Sequence, residues 1–215
     1  MSKTLQVSID GPTGAGKTTL GMGLARHFAA AFLDTGLTYR ALSYLLAIAE
    51  LPEDDSWQSL IRHVPFSSDG LEEVYYKKEN ITEKLWGFQA DSCVDLIARD
   101  PVRREQILSY HCQAVATHSR LIIAGRDVAT TLVPHALLHV FLVAEFSVRR
   151  ERRRVQNGRA PERSAVVGAI TERDRQTLLE CMNSSRSIIL DTTYQSADEV
   201  LNRIIGQMMA RDREL

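Results

Sequence analysis

Apolar and polar positions alternate from Leu5 to Ile9, with β-branched residues at Val7 and Ile9, and this predicts a strand. After a glycine-rich run the period lengthens. Leu20, Leu24 and Phe28 fall on one face of a predicted helix over Lys17–Phe28. Ala31–Leu33 reads as a short strand ending in Asp34-Thr35-Gly36, and Tyr39–Ala49 as a helix apolar on most sides. Pro52–Ser68 is polar and broken, and is expected to be an insertion or a mobile stretch. Leu71–Tyr76 reads as a strand and Ile81–Ile97 gives mixed signals, whereas Pro101 opens a predicted helix over Val102–Ala116.

Further on, Leu121–Ala124, His139–Val143 and Ile188–Leu190 are nearly continuous apolar runs, as buried parallel strands require. A last helix opens with Ser196 and Glu199 as a capping box and would bury Val200, Leu201, Ile204, Ile205 and Met208. Strands alternating with helices predict an α/β fold, a doubly wound parallel sheet of about five strands in a single domain.

Charge and composition remove several classes. The 26 basic and 27 acidic residues nearly cancel, which argues against a nucleic-acid partner. Apolar runs all fall short of the roughly 18 residues of a membrane span. The start of the chain reads straight into a strand without a signal-peptide pattern, so a cytoplasmic address is expected. Cys93, Cys112 and Cys181 are widely spaced and are expected to be reduced and mostly buried.

Chemistry enters at Gly11-Pro12-Thr13-Gly14-Ala15-Gly16-Lys17-Thr18, a full match to G-x-x-x-x-G-K-[ST] between a strand and a helix. Glycines let backbone N–H groups wrap a polyphosphate, and the helix N-terminus adds positive charge. Gly11, Thr13, Gly14, Ala15, Gly16, Lys17, Thr18 and Thr19 are the residues expected against a nucleoside triphosphate. Lys17 would neutralise its outer phosphates, and the Thr18 hydroxyl would be a ligand of Mg²⁺.

Three further clusters sit where strands end or a helix follows. Asp34-Thr35-Gly36-Leu37-Thr38-Tyr39-Arg40 places an arginine that can clamp a second phosphate. Gly125-Arg126-Asp127 puts a cation and a carboxylate at the same sheet edge. From Arg149 to Arg163 seven arginines stand against two glutamates. Each cluster also has a purely structural reading: Arg40 bracing its helix, Arg126 pairing with Asp127, the arginine run as a solvated face. Their coincidence favours phosphoryl transfer between two anionic substrates, which needs several charges screened in a water-poor cleft.

These segments resemble the cytidylate kinases, a family of adenylate-kinase-like nucleoside monophosphate kinases. Val7–Lys17, Leu33–Ala41 and Ile123–Thr130 carry the resemblance, together with Val140-Phe141-Leu142 and Leu190-Asp191-Thr192-Thr193. It implies an ATP- and Mg²⁺-dependent kinase, acting as a monomer on a small-molecule acceptor, CMP or dCMP. It also implies a core over about 1–36, 110–148 and 164–215, an acceptor-binding insertion over about 37–109 and a lid over about 149–163. Carried across, Thr35 and Arg40 would hold the acceptor phosphate, and Arg103 or Arg104 with Asp127 would read the cytosine. Arg126 would sit between the phosphates, and Arg149, Arg152, Arg153 and Arg159 would serve the lid. The family's Arg-Asp-x-x-Asp-x-x-Arg stretch is represented by Arg173 and Asp174, without counterparts for its second Asp and last Arg. Asp95 stands where the family often has a serine facing the base, and as a carboxylate it only accepts hydrogen bonds.

Those departures keep a second reading open: a phosphotransferase of the same fold acting on another nucleotide or on a hydroxyl of a sugar or secondary metabolite. A neutral hydroxyl must lose a proton, so Asp34 or Asp127 would then act as general base. A third reading is a non-kinase nucleotide-binding module.

Overall fold

The computed structural model describes residues 5–48, 57–65, 72–156 and 170–213. The chain begins β1 (Leu5–Asp10), α1 (Lys17–Phe28), β2 (Ala31–Asp34) and α2 (Thr35–Ala47). A smaller region follows: α3 (Trp57–Leu60), β3 (Ile61–Val64), β4 (Glu73–Tyr76), β5 (Glu79–Asn80), a 3₁₀ turn (Thr82–Trp86), α4 (Phe88–Ser92) and α5 (Val94–Arg99). The chain then runs through α6 (Pro101–Thr117), β6 (Arg120–Ala124), α7 (Val128–Thr131) and β7 (Leu138–Val143). It closes with α8 (Phe146–Gln156), α9 (Glu172–Met182), β8 (Ser187–Asp191) and α10 (Ala197–Arg213).

The main sheet has the strand order β2-β6-β1-β7-β8, all parallel, with Ile9 of the central strand opposite Ala124 and Val140. Alternation along the strands builds a core on each face. Val7, Ile9, Phe32, Val140 and Leu142 pack with Leu20, Leu24, Val200, Ile204 and Met208 of α1 and α10. Leu33, Leu121 and Ile123 point the other way, onto Val128 and Val133, and Phe141 meets Cys181 of α9. This is the doubly wound arrangement.

The strands and long helices lie close to where the patterning puts them. Asp100 caps α6, with Pro101 in its first turn, and the Ser196–Glu199 box opens α10. Three expectations change. First, α2 starts at Thr35 rather than Tyr39, because the Asp34 carboxylate caps it by accepting from the Gly36 N–H at 3.0 Å. Second, the stretch read as polar and broken contains α3 and β3. Residues 52–56 and 66–68 of it lie outside the described residues. Third, only Cys181 of the three cysteines is buried, and Cys112 is exposed.

The smaller region has its own core. Trp57, Ile61, Val74, Tyr76, Ile81 and Leu85 pack against Leu42 and Leu45 of α2 and Ile107 of α6. The antiparallel sheet β3-β4-β5 is thereby fixed to two helices that also border the main sheet.

Gly21 shows how tightly α1 lies on the sheet. A Cβ there would run into the Phe32 ring, itself fully buried. Alanine favours the helix by about 1 kcal/mol, but overpacking a core costs about 1–3 kcal/mol. Gly21→Ala is therefore expected to lower the melting temperature by several degrees in thermal denaturation, and an unchanged or higher value would show that Phe32 yields.

Candidate active site

The strand β1 ends at the glycine-rich loop, and three positive φ angles shape it: +137° at Gly11, +83° at Gly14 and +99° at Gly16. These lie in the region that side chains disfavour. Space adds a second constraint at two of them, since a Cβ on Gly11 would strike the Leu142 carbonyl and one on Gly14 the Arg149 backbone. Gly16 is the N-cap of α1 and offers no side-chain cap, and the first turn holds no acidic residue. The uncapped amides of a twelve-residue helix thus meet the loop, which suits a polyphosphate.

Lys17 folds back over this loop and donates to the carbonyls of Gly11 at 2.7 Å and Pro12 at 3.0 Å. Desolvation, then the neighbouring Arg126, push its pKa down to about 8. Next to it the Thr18 hydroxyl donates to Asp34 Oδ2 at 2.7 Å. Hydroxyl and carboxylate are hard oxygen donors, and few protein ligands are what Mg²⁺ takes when phosphates and water supply the rest. Thr18 and Asp34 therefore fit that ion; pairing Thr18 with Asp34 adds a residue that the motif alone does not name.

A cavity of about 530 Å³ opens over the loop, and Thr13 to Thr19, Asp34, Thr35, Arg40, Arg126, Asp127, Arg152, Arg153 and Arg173 all line it. A second cavity of about 330 Å³ adjoins it, sharing Thr35, Tyr39 and Asp127, and adds Arg104 and His111. Thr35 is held there by donating to the Ala124 carbonyl at 2.9 Å.

Most cations around the cavities have a carboxylate or carbonyl partner. Arg126 pairs with Asp174 at 2.8 Å and donates to Thr13 Oγ1 at 2.8 Å, so it bridges the phosphate loop and α9 instead of pairing with Asp127. Asp127 instead takes Arg104 at 2.7 Å, with Arg173 at 3.8 Å. Arg152 donates to the Thr192 hydroxyl and carbonyl at 3.0 and 2.7 Å. Arg149 is a brace: it donates to the carbonyls of Ala144 at 3.1 Å and Thr13 at 3.2 Å, and its backbone backs Gly14.

Some expected residues fall elsewhere. Asp95 is exposed on α5 and lines neither cavity; that helix turns Val94 and Ala98 inward instead. Of the two arginines offered for the base, Arg104 reaches Asp127, while Arg103 lies 3.8 Å from Asp100 at the helix cap. Asp174 is fully buried, caps α9 with Thr171 and holds Arg126 from beneath. Past that first turn α9 packs Leu178 and Cys181 against the sheet, with Thr177 buried as well. Arg159 and Arg163 lie outside the described residues.

Other site residues escaped the sequence reading. Asp10 is buried at the end of β1 and accepts from the N–H groups of Val128 at 2.7 Å and Ala129 at 3.0 Å. Burial pushes its pKa up to about 7 despite those two donors. A carboxylate closing an apolar strand was the available signal. Glu72 accepts from the Asp34 N–H at 2.6 Å and from His63 Nε2 at 2.7 Å. Thr192 donates to the Ala15 carbonyl at 3.0 Å, tying β8 to the loop. Asp91 and Trp86 come from the segment of mixed signals.

This geometry is that of a phosphoryl-transfer site, and comparison with known proteins agrees. The cytidylate kinase family model matches residues 7–210. The chain belongs to the cytidylate kinase family. A cytidylate kinase of Listeria monocytogenes serotype 4b (strain CLIP80459) is 31% identical over 217 residues, covering 96% of each chain. One from Ligilactobacillus salivarius (strain UCC118) is 28% identical, covering 99% of this chain and all of that one. A solved gluconokinase from Sinorhizobium meliloti 1021 shares the fold, with a TM-score of 0.54 at 16% identity over 96% of this chain and 93% of that one. As a member of this kinase family the chain transfers phosphoryl groups from ATP to a nucleoside monophosphate, and the hydroxyl-acceptor and non-kinase readings fall away. Among the described residues no helix is long and apolar enough to cross a membrane.

The depressed Lys17 pKa has a measurable consequence. Near pH 8 the ligand-free ammonium is partly deprotonated, and bound phosphates favour its charged form. ATP binding at pH 8 is therefore expected to take up a fraction of a proton and to weaken as pH rises further. Calorimetry in two buffers of different ionisation enthalpy reads this directly; proton release on binding would contradict it.

Proposed function

We propose that the chain phosphorylates CMP and dCMP with MgATP. The observation that carries the choice of base is the Arg104–Asp127 pair at 2.7 Å, in a cavity adjoining the one over the phosphate loop. Cytosine offers an exocyclic amino donor beside two acceptors, N3 and O2. An ionised Asp127 accepts from the amino group, and the Arg104 guanidinium donates to the ring acceptors. Uracil would set a carbonyl oxygen against the carboxylate.

In this reading the loop amides and Lys17 hold the ATP phosphates. Mg²⁺, with Thr18 and Asp34 as its protein donors, supplies charge neutralisation on those phosphates. Arg126 and Arg152 screen the charge that develops as the phosphoryl group passes in line to the acceptor. A phosphate acceptor is already ionised, so no general base is required. Residues from about 37 to 109 serve as the acceptor arm and those from about 149 to 163 as the lid that excludes water. The same reading has the chain acting as a monomer in the cytoplasm.

The test is ADP release with MgATP against CMP, dCMP, UMP, AMP, GMP and no acceptor. Turnover is expected on CMP and dCMP, with UMP lower by at least about tenfold in kcat/KM, since an unpaired polar contact discriminates strongly. Equal rates on purine nucleotides, or no turnover on CMP, would refute the assignment. Asp127→Asn is expected to raise the CMP KM and narrow the CMP-to-UMP ratio, because an amide can also donate.

A further inference from the structure

Asp91 joins three segments that are distant in sequence. Its Oδ1 lies 2.7 Å from Arg40 Nη1 of α2 and 2.8 Å from Arg153 Nη2 of α8, and its Oδ2 lies 3.0 Å from the same Arg153 nitrogen. The two guanidinium carbons are 5.3 and 5.8 Å from the centre of the Trp86 ring. Only 3% of the Asp91 side chain and 4% of the Arg153 side chain meet solvent.

Two cations do not gather out of water unaided. Burial and then the Arg153 charge both lower the Arg40 pKa, and Asp91 acts against them. The carboxylate is therefore what lets the two arginines sit side by side. Arg40 bonds both Asp91 and the Leu85 carbonyl through Nη1, so those contacts do not use its Nε–Nη2 edge. Both arginines line the large cavity, whereas Asp91 stands behind them.

We propose that Asp91 is a positioning residue that draws Arg153 of the lid helix to the acceptor side and pairs it with Arg40 as a two-guanidinium seat for the acceptor phosphate. The inference rests on the proposed function for the identity of the acceptor, but the seat itself needs only the phosphate group and not the nucleoside. Arg153 thereby serves the acceptor rather than ATP.

The test uses the full chain with two probes. Inorganic phosphate is titrated by calorimetry into protein saturated with Mg·ADP, so that the phosphate loop is filled. CMP is used as the acceptor in steady-state kinetics. Asp91→Asn keeps the shape and removes the charge. It is expected to weaken phosphate binding at least about fivefold and to raise the CMP KM about tenfold, with ATP KM and ADP affinity within twofold. If this variant lacks a thermal transition, Arg153→Gln keeps the Arg40–Asp91 pair and is expected to give the same split. Unchanged phosphate affinity, tighter phosphate binding, a shift in ATP KM with constant CMP KM, or no phosphate binding to the wild type would each overturn the proposal. Absence of CMP turnover in a wild type that binds phosphate, with that binding lost in Asp91→Asn, would instead overturn the proposed acceptor and leave the seat standing.

Discussion

Ammonium and guanidinium groups repel one another, and this fold collects them at one edge of one sheet. Lys17, Arg40, Arg126, Arg152, Arg153 and Arg173 share a single cavity. Left unmatched, that much like charge would push the edge apart. The structure answers with buried or half-buried acceptors set behind the cations: Asp174 under Arg126, Asp127 beside Arg104 and Arg173, Asp91 between Arg40 and Arg153, and the Thr192 carbonyl under Arg152. Such pairs add little net stability, since removing charge from water costs about as much as the attraction returns. Their effect is orientation: each guanidinium has one part fixed to the protein.

The sheet makes this possible because three of its five strands end in carboxylates. β1 ends in Asp10, which holds the amides of Val128 and Ala129 and so fixes the turn carrying Arg126 and Asp127. β2 ends in Asp34, which caps α2, meets Thr18 and is itself held through its N–H by Glu72. β8 ends in Asp191, which accepts from Thr193 N at 2.8 Å and sets the turn in which Thr192 meets the phosphate loop. One apolar core therefore positions the donor loop, the Gly125-Arg126-Asp127 turn and the start of the acceptor arm together.

What the sequence made legible follows from this division. Strand runs, the glycine-rich loop and the caps of α6 and α10 depend on local chemistry, and each could be read from a few neighbouring residues. The partners of charged side chains could not. Adjacency allows Arg126 a purely structural pairing with Asp127, but each partner lies far along the chain, at Asp174 and Arg104. Arg149 headed an arginine run and turned out to brace the loop backbone. Asp95 is implicated only by the resemblance to the family, and the phase of α5 turns it to solvent. Short elements such as α3 and β3 carry too few residues for a period to show, and their burial is set by α2 and α6.

The α9 helix divides its residues between the site and the core. In α9 the first turn reaches the site through Arg173 and Asp174, and the rest of the helix turns Leu178 and Cys181 to the sheet, with Thr177 buried and Glu180 exposed. That helix thus brings one arginine to the cavity and no second cation. Among the described residues, Arg40 with Arg153 is a cluster that combines burial, paired guanidiniums and a place on the cavity wall. The carboxylate at position 91 makes that pairing possible: without it two arginines from separate helices would not share a dry wall of the site.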